Sequence, residues 1–94
     1  MNIPSEFEWD DAKAESNMAK HGVPFEAAVE VFDDDARIER QDSRRDYGED
    51  RFNVVGAVDG YVINVTYTMR GDVGRIISAR LATKKERTYY GDRS

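Results

Sequence analysis

Asp59-Gly60 sits between two runs of strand-forming residues, and no other feature restricts the fold of this chain as much. An Asp-Gly pair favours the two-residue hairpin turn whose twist matches that of its flanking strands. In residues 61–68, Tyr61, Ile63, Val65 and Tyr67 alternate with Val62, Asn64, Thr66 and Thr68. One face is apolar and the other mostly polar, the pattern of an antiparallel sheet packed on helices by one side only. The centre of the chain is therefore a hairpin of residues 51–58 and 61–68, and the rest must be built around it.

Before the hairpin, Phe7-Glu8-Trp9 reads as a short strand or extended lead-in. Asp10 is placed to cap a helix running through Lys20, with Ala12, Ser16 and Ala19 as its small-residue stripe. Gly22 should end that helix, since glycine accepts the left-handed conformation found just past helix ends. Pro24 suits the first residue of a second helix, on which Phe25, Ala28, Val29 and Phe32 fall at i, i+3, i+4 and i+7. Asp33-Asp34-Asp35 opposes the dipole at that helix's C-terminus and reads as a solvated helix end. A strand over 36–41 and a charged loop over 42–50 lead into the hairpin. After it come a turn over 71–74 and a strand over 75–81. Thr83-Lys84-Lys85-Glu86 has the spacing of a capping box, in which Thr83 and Glu86 satisfy each other's backbone N–H groups. The expected fold is α+β: two N-terminal helices, a three- to four-stranded antiparallel sheet and a short C-terminal helix.

Ninety-four residues allow one domain, taken to span 1–94. The chain has no cysteine and one histidine, which argues against a zinc site, so no metal and no cofactor is expected. The N-terminus lacks the basic and apolar regions of a secretory leader, and residues 61–69 are far too short to span a bilayer, so a cytoplasmic protein is expected. The net charge of −5 is unevenly distributed. Residues 1–50 carry six Lys/Arg against fifteen Asp/Glu, whereas residues 51–94 carry eight against four. This asymmetry points to one acidic and one basic surface.

Arginine is what remains for chemistry. Arg44, Arg45, Arg51, Arg70, Arg75 and Arg80 lie in or beside the expected sheet. The guanidinium is a planar fork of donors suited to phosphate. RNA can be cut without a metal when its 2′-hydroxyl attacks the neighbouring phosphate; the protein need only position the sugar, stabilise the added charge and move protons. Strand parity puts Arg70 in line with Asn64, Thr66 and Thr68, and Arg80 with Ser78. Arg75 is expected on the opposite face, with Ile77 and Ala79. Arg51, Arg70 and Arg80 should thus converge on one open face. His21, Glu86 or a tyrosine is available for proton transfer, although His21 and Glu86 each also have a plain role at a helix end. Tyr47, Tyr89 and Tyr90 can stack on bases, and Arg44, Arg45, Lys84 and Lys85 add positive charge for RNA.

Several segments resemble BrnT-type toxins in order along the chain. They are Phe7-Glu8-Trp9-Asp10, Lys20-His21-Gly22-Val23, Val31-Phe32-Asp33-Asp34, Asp46-Tyr47-Gly48-Glu49-x-Arg51, Tyr67-Thr68-x-Arg70 and Arg75-Ile76-Ile77-Ser78-Ala79-Arg80 with Thr83-x-x-Glu86-Arg87. The match runs in order over residues 7–90, with short gaps. The resemblance implies a RelE-like fold and a ribonuclease toxin of a type II toxin–antitoxin pair that inhibits translation by cutting RNA, ribosome-bound or free. It also implies neutralisation by a BrnA-like antitoxin, whose ribbon-helix-helix domain would provide the only contact with DNA. It carries a site role to Arg80 first, then to Arg51 and Arg70, and last to His21 and Glu86. Two alternatives stand beside it: a module that binds RNA or the ribosome without cutting, and an inactive toxin acting as a co-repressor subunit.

Overall fold

The computed structural model describes residues 4–42 and 48–91. The elements run β1 (Glu6–Glu8), α1 (Asp11–His21), α2 (Phe25–Glu30), a single 3-10 turn (Val31–Asp33), β2 (Ile38–Asp42), β3 (Arg51–Val58), β4 (Tyr61–Arg70), β5 (Val73–Leu81) and α3 (Lys84–Gly91). The strands form one five-stranded sheet in the order β1-β5-β4-β3-β2. This corrects the expected sheet of three or four antiparallel strands: β1 joins β5 in parallel, with Glu6 opposite Val73 and Glu8 opposite Arg75. Gly74 lets the N-terminal segment approach, since a Cβ there would lie 2.7 Å from Pro4 Cγ. The other three pairings are antiparallel.

The hairpin is as its sequence requires. Asp59 and Gly60 both have positive φ, 50° and 85°, the geometry of the expected turn. Ile63, Val65 and Tyr67 point into the core with Val54, Ile76 and Ala79. α1 and α2 cover this face. Asp10 caps α1 through Ala12 N and Lys13 N, and Gly22 closes it in the left-handed conformation. Pro24 is the N-cap of α2, one position earlier than expected.

Two helix faces differ from the sequence expectation. On α1, Ala12, Ser16 and Ala19 are exposed, while Asn17 is buried and Ala14 packs on the core. β1 stops beside Arg75, so among the described residues the outer edge of β5 beyond it lacks a strand partner. Asn17 supplies one: Nδ2 donates to Ala79 O at 2.8 Å and to Val23 O at 2.9 Å, and Oδ1 accepts from Ala79 N at 3.1 Å. On the second helix the 3-10 turn tightens the chain, so Val31 joins Phe25 and Ala28 as fully buried, and Phe32 shifts to the aromatic cluster of Phe7 and Tyr67.

The acidic run is also more than a solvated end. Asp34 Oδ1 accepts from Ala36 N, and Oδ2 accepts from Ala57 N and from the Tyr90 hydroxyl at 2.5 Å. One carboxylate thereby joins the end of the second helix, β3 and α3. Burial alone would raise its pKa; the Tyr90 bond, the two backbone bonds and the charge of Arg37 outweigh that and hold it below its usual value.

Candidate functional site

The register of the sheet aligns side chains in two adjacent rows on the face away from α1 and α2, the first of them polar throughout. One row crosses four strands as Arg40, Asn53, Thr66 and Ser78. The next runs Ile38, Val55, Asn64 and Arg80. α3 reaches over the second row, and between helix and sheet lies a groove of about 640 Å³. That volume falls within the range of roughly 300–1,000 Å³ found for small-molecule sites. His21, at the end of α1, also lines the groove, as do Lys85 and Tyr89 of α3.

A β-bulge determines which arginines share this face. Thr66 pairs with Ser78, but Tyr67 pairs with Ile76, so Ile77 is the extra residue. Parity reverses there. Arg75 therefore pairs with Thr68 on the same face as Arg80, a correction to the opposite-face expectation, and its guanidinium binds Glu8 at 2.8 Å.

Arg80 is the most constrained cation of the groove. Its Nη1 and Nη2 donate to Glu86 Oε1 and Oε2 at 2.8 and 3.0 Å, and Nη1 also donates to Leu81 O. A guanidinium has five N–H groups, so Nε–H and one Nη2 hydrogen remain for a ligand. Glu86 is held from three directions. Asn64 Nδ2 donates to it at 2.8 Å, and the capping box is formed, Thr83 N to Glu86 Oε1 at 2.9 Å and Glu86 N to Thr83 Oγ1 at 3.1 Å. The bond from Arg80 leads in lowering the Glu86 pKa to about 2; burial opposes it, while Thr83 and Asn64 reinforce it. Such a group is a carboxylate at neutral pH, with no proton to give and little affinity for one.

Two further arrangements lie on the first row. The Arg40 guanidinium rests over the Tyr89 ring, 5.3 Å from its centroid. Thr66 Oγ1 donates to Asn53 Oδ1 at 2.7 Å, which fixes the Asn53 amide with its Nδ2 hydrogens free of that bond.

Of the residues expected to carry function, the structure brings Arg80, Glu86, His21, Lys85 and Tyr89 to one groove. Arg51 and Arg70 do not join them. They share Glu49, Arg51 Nε at 3.5 Å and Arg70 Nη2 at 3.9 Å. Arg70 lies six residues along β4 from Asn64, the partner of Arg80, or about 20 Å at ~3.4 Å per residue. The three arginines therefore do not converge on one phosphate. Lys84 does not line the groove; it borders a separate shallow depression with Lys85, Thr88 and Tyr89. Tyr90 is turned to Asp34 and not to the groove. Arg44, Arg45 and Tyr47 lie outside the described residues. Sequence reasoning missed Arg40 and Asn53. Their signal was parity: Arg40 is two residues from Ile38, and Asn53 two from Val55, each pair on one strand face.

A family model described as "Ribonuclease toxin, BrnT, of type II toxin-antitoxin system" matches residues 9–86. No curated protein matches the chain.

Proposed function

This chain belongs to the BrnT family of ribonuclease toxins of type II toxin–antitoxin systems, and from that premise we propose that the groove between α3 and the sheet cleaves RNA without a metal ion. The observation that carries the reading is the fork-to-fork pair of Arg80 and Glu86, which holds a cation at a fixed place on a polar floor. The free donors of Arg80 bind the non-bridging oxygens of the scissile phosphate and the charge that grows on them. Lys85, which also lines the groove, adds a second cation. These groups supply the positive charge that a metal would otherwise bring.

The 2′-hydroxyl oxygen attacks the adjacent phosphorus, and the bond to the 5′-oxygen breaks. The products are a 2′,3′-cyclic phosphate and a free 5′-hydroxyl. His21 takes the proton from the 2′-hydroxyl, imidazole being the side-chain type suited to proton transfer near neutral pH. Lys85 or solvent returns a proton to the departing oxygen. Glu86 is a positioning residue that acts through Arg80. Arg51 and Arg70, at the far end of the same sheet face, serve the flanking RNA backbone.

Membership of a type II system implies an antitoxin partner. We assign that role to a BrnA-like ribbon-helix-helix protein, which would silence the toxin and carry any contact with DNA; RNA cleavage would inhibit translation. The test is purified protein on RNA with and without EDTA, beside Arg80→Ala. Cleavage should persist in chelator and fall at least ~100-fold in the variant. Loss of cleavage on chelation, or a variant that cuts like the parent, overturns the mechanism. Growth arrest with intact transcripts would favour a binding module instead.

A further inference from the structure

Resting on the ribonuclease reading, we propose that Arg40, Asn53 and Tyr89 form a nucleobase subsite that selects guanine. Arg40 and Asn53 are directly paired across β2 and β3, so their side chains leave one face as neighbours. The Tyr89 ring holds the Arg40 guanidinium by its π face, a contact that uses none of the five N–H donors. Among the described residues no carboxylate forms an ion pair with Arg40. Asn53 is restricted in a complementary way. The Thr66 hydroxyl takes one of the two lone pairs of its only acceptor atom and holds the amide in one orientation, with both Nδ2 hydrogens left for a ligand.

The subsite therefore presents donors from two adjacent side chains. Guanine answers with O6 and N7, neighbouring acceptors that an arginine fork binds in a bidentate manner. Adenine carries an amino group in place of O6, which would set N–H against N–H. An Asn with a free amide could turn its oxygen toward that amino group; the bond from Thr66 opposes the turn. Tyr89 is 48% exposed, so part of its ring remains available for stacking, and a purine covers more of it than a pyrimidine. Arg40 and Arg80 stand on the two outer strands of the groove, three strand spacings or about 14 Å apart across the sheet. With both side chains reaching inward, that span suits one nucleotide, phosphate toward Arg80 and base toward Arg40.

The experiment has two arms on the full chain. In the first, GMP, AMP and CMP are titrated and followed by NMR. GMP should bind about tenfold more tightly than AMP or CMP and shift the signals of Arg40, Asn53 and Tyr89. Arg40→Lys keeps the charge but loses the fork, and should narrow the GMP preference to within about threefold. Thr66→Val, which releases the Asn53 amide, should narrow the gap between GMP and AMP. Equal binding of AMP or CMP to the parent overturns the subsite. The second arm maps cleavage on RNA containing all four bases. Cuts adjacent to guanine that spread to other bases in Arg40→Lys support it. Cleavage indifferent to guanine in the parent overturns the subsite and leaves the ribonuclease reading intact. Guanine-selective binding with no RNA cleavage does the reverse.

Discussion

Arg80 and Glu86 are six residues apart in the chain and meet fork to fork, the arginine at the end of β5 and the glutamate in the first turn of α3. The same carboxylate completes the capping box with Thr83 and accepts from Asn64 on the neighbouring strand. A single side chain thus starts the helix, ties it to the sheet and aims the cation of the groove. Removing its charge without its shape should show which of these matters for catalysis. Glu86→Gln is expected to lower RNA cleavage by roughly tenfold, less than Arg80→Ala, because Arg80 stays charged but loses its anchor. The acid limb of the pH–rate profile should not move, since Glu86 is not the group that titrates near neutrality. A displaced acid limb in Glu86→Gln would make it the proton carrier after all.

The same pair gives a signed prediction for stability against pH. The Arg80 bond holds the folded pKa of Glu86 at about 2, below its ordinary value of 4.5. Its contribution is therefore complete above about pH 4.5 and is lost as pH falls toward about 2. Asp34, also held low, acts in the same direction. Urea denaturation of the parent and Glu86→Gln should differ by about 1 kcal/mol at pH 7, a figure suited to a partly exposed pair. The gap should close by pH 2. A gap that widened on acidification would reverse the sign of this linkage.

Asn17 offers a test of how α1 is held. It is a buried polar side chain that serves both backbone groups of Ala79 where β5 has no strand beside it. Asn17→Ala should cost about 3 kcal/mol in a denaturation titration, as three backbone groups, Ala79 N, Ala79 O and Val23 O, lose this partner inside the protein. Asn17→Leu should not recover this, although leucine is apolar and a better helix former. Recovery by leucine would mean that the position needs volume and not hydrogen bonds.

These cases show what the sequence could and could not disclose. The Asp59-Gly60 hairpin, the caps at Asp10 and Gly22 and the Thr83–Glu86 box were legible because each depends on a local backbone requirement. The packing face of α1 was not, since its buried member is Asn17 and a search for apolar periodicity passes over it. The side of Arg75 was hidden by the bulge at Ile77: one extra residue inverts every side chain on its far side and has no reliable signature in a single sequence. The groove was half legible. Arg80 and Glu86 were in view as separate candidates, but their bidentate contact depends on where α3 turns back over the sheet. Arg40 and Asn53 were overlooked because the rows they complete exist only in the register between strands.

Gly56 tests the packing of β3 against the end of the second helix. A Cβ at this position would lie 2.9 Å from Val31 Cγ1 and 3.3 Å from Arg37 Cβ, with Asp34 Oδ2 at 3.2 Å. Val31 is fully buried and has little room to yield. Gly56→Ala should therefore destabilise the fold by about 1–3 kcal/mol, the range for overpacking, although alanine favours a strand more than glycine does. The comparison is Gly91→Ala, where a Cβ meets nothing within 4 Å and stability should stay within about 0.5 kcal/mol of the parent.

The attachment of α3 decides whether the groove exists at all. None of its residues is buried, so apolar packing contributes little, and polar contacts must hold it: Glu86 to Arg80 and Asn64, Arg87 to Ala82 O, Tyr90 to Asp34, and Tyr89 under the Arg40 guanidinium. The Tyr90 contact is the one farthest along the helix. The carboxylate raises the Tyr90 pKa, with burial and charge adding to the hydrogen bond, so the hydroxyl remains a donor across the physiological range. Tyr90→Phe keeps the ring and deletes that donor. It should cost about 1 kcal/mol globally, and amide exchange should rise in α3 more than in β3 or β4. Because Glu86 orders Arg80 from the same helix, cleavage should fall as well, through kcat more than KM, although Tyr90 touches no part of the groove. Unchanged exchange in α3 with unchanged cleavage would mean that the other contacts of the helix fix it without Tyr90.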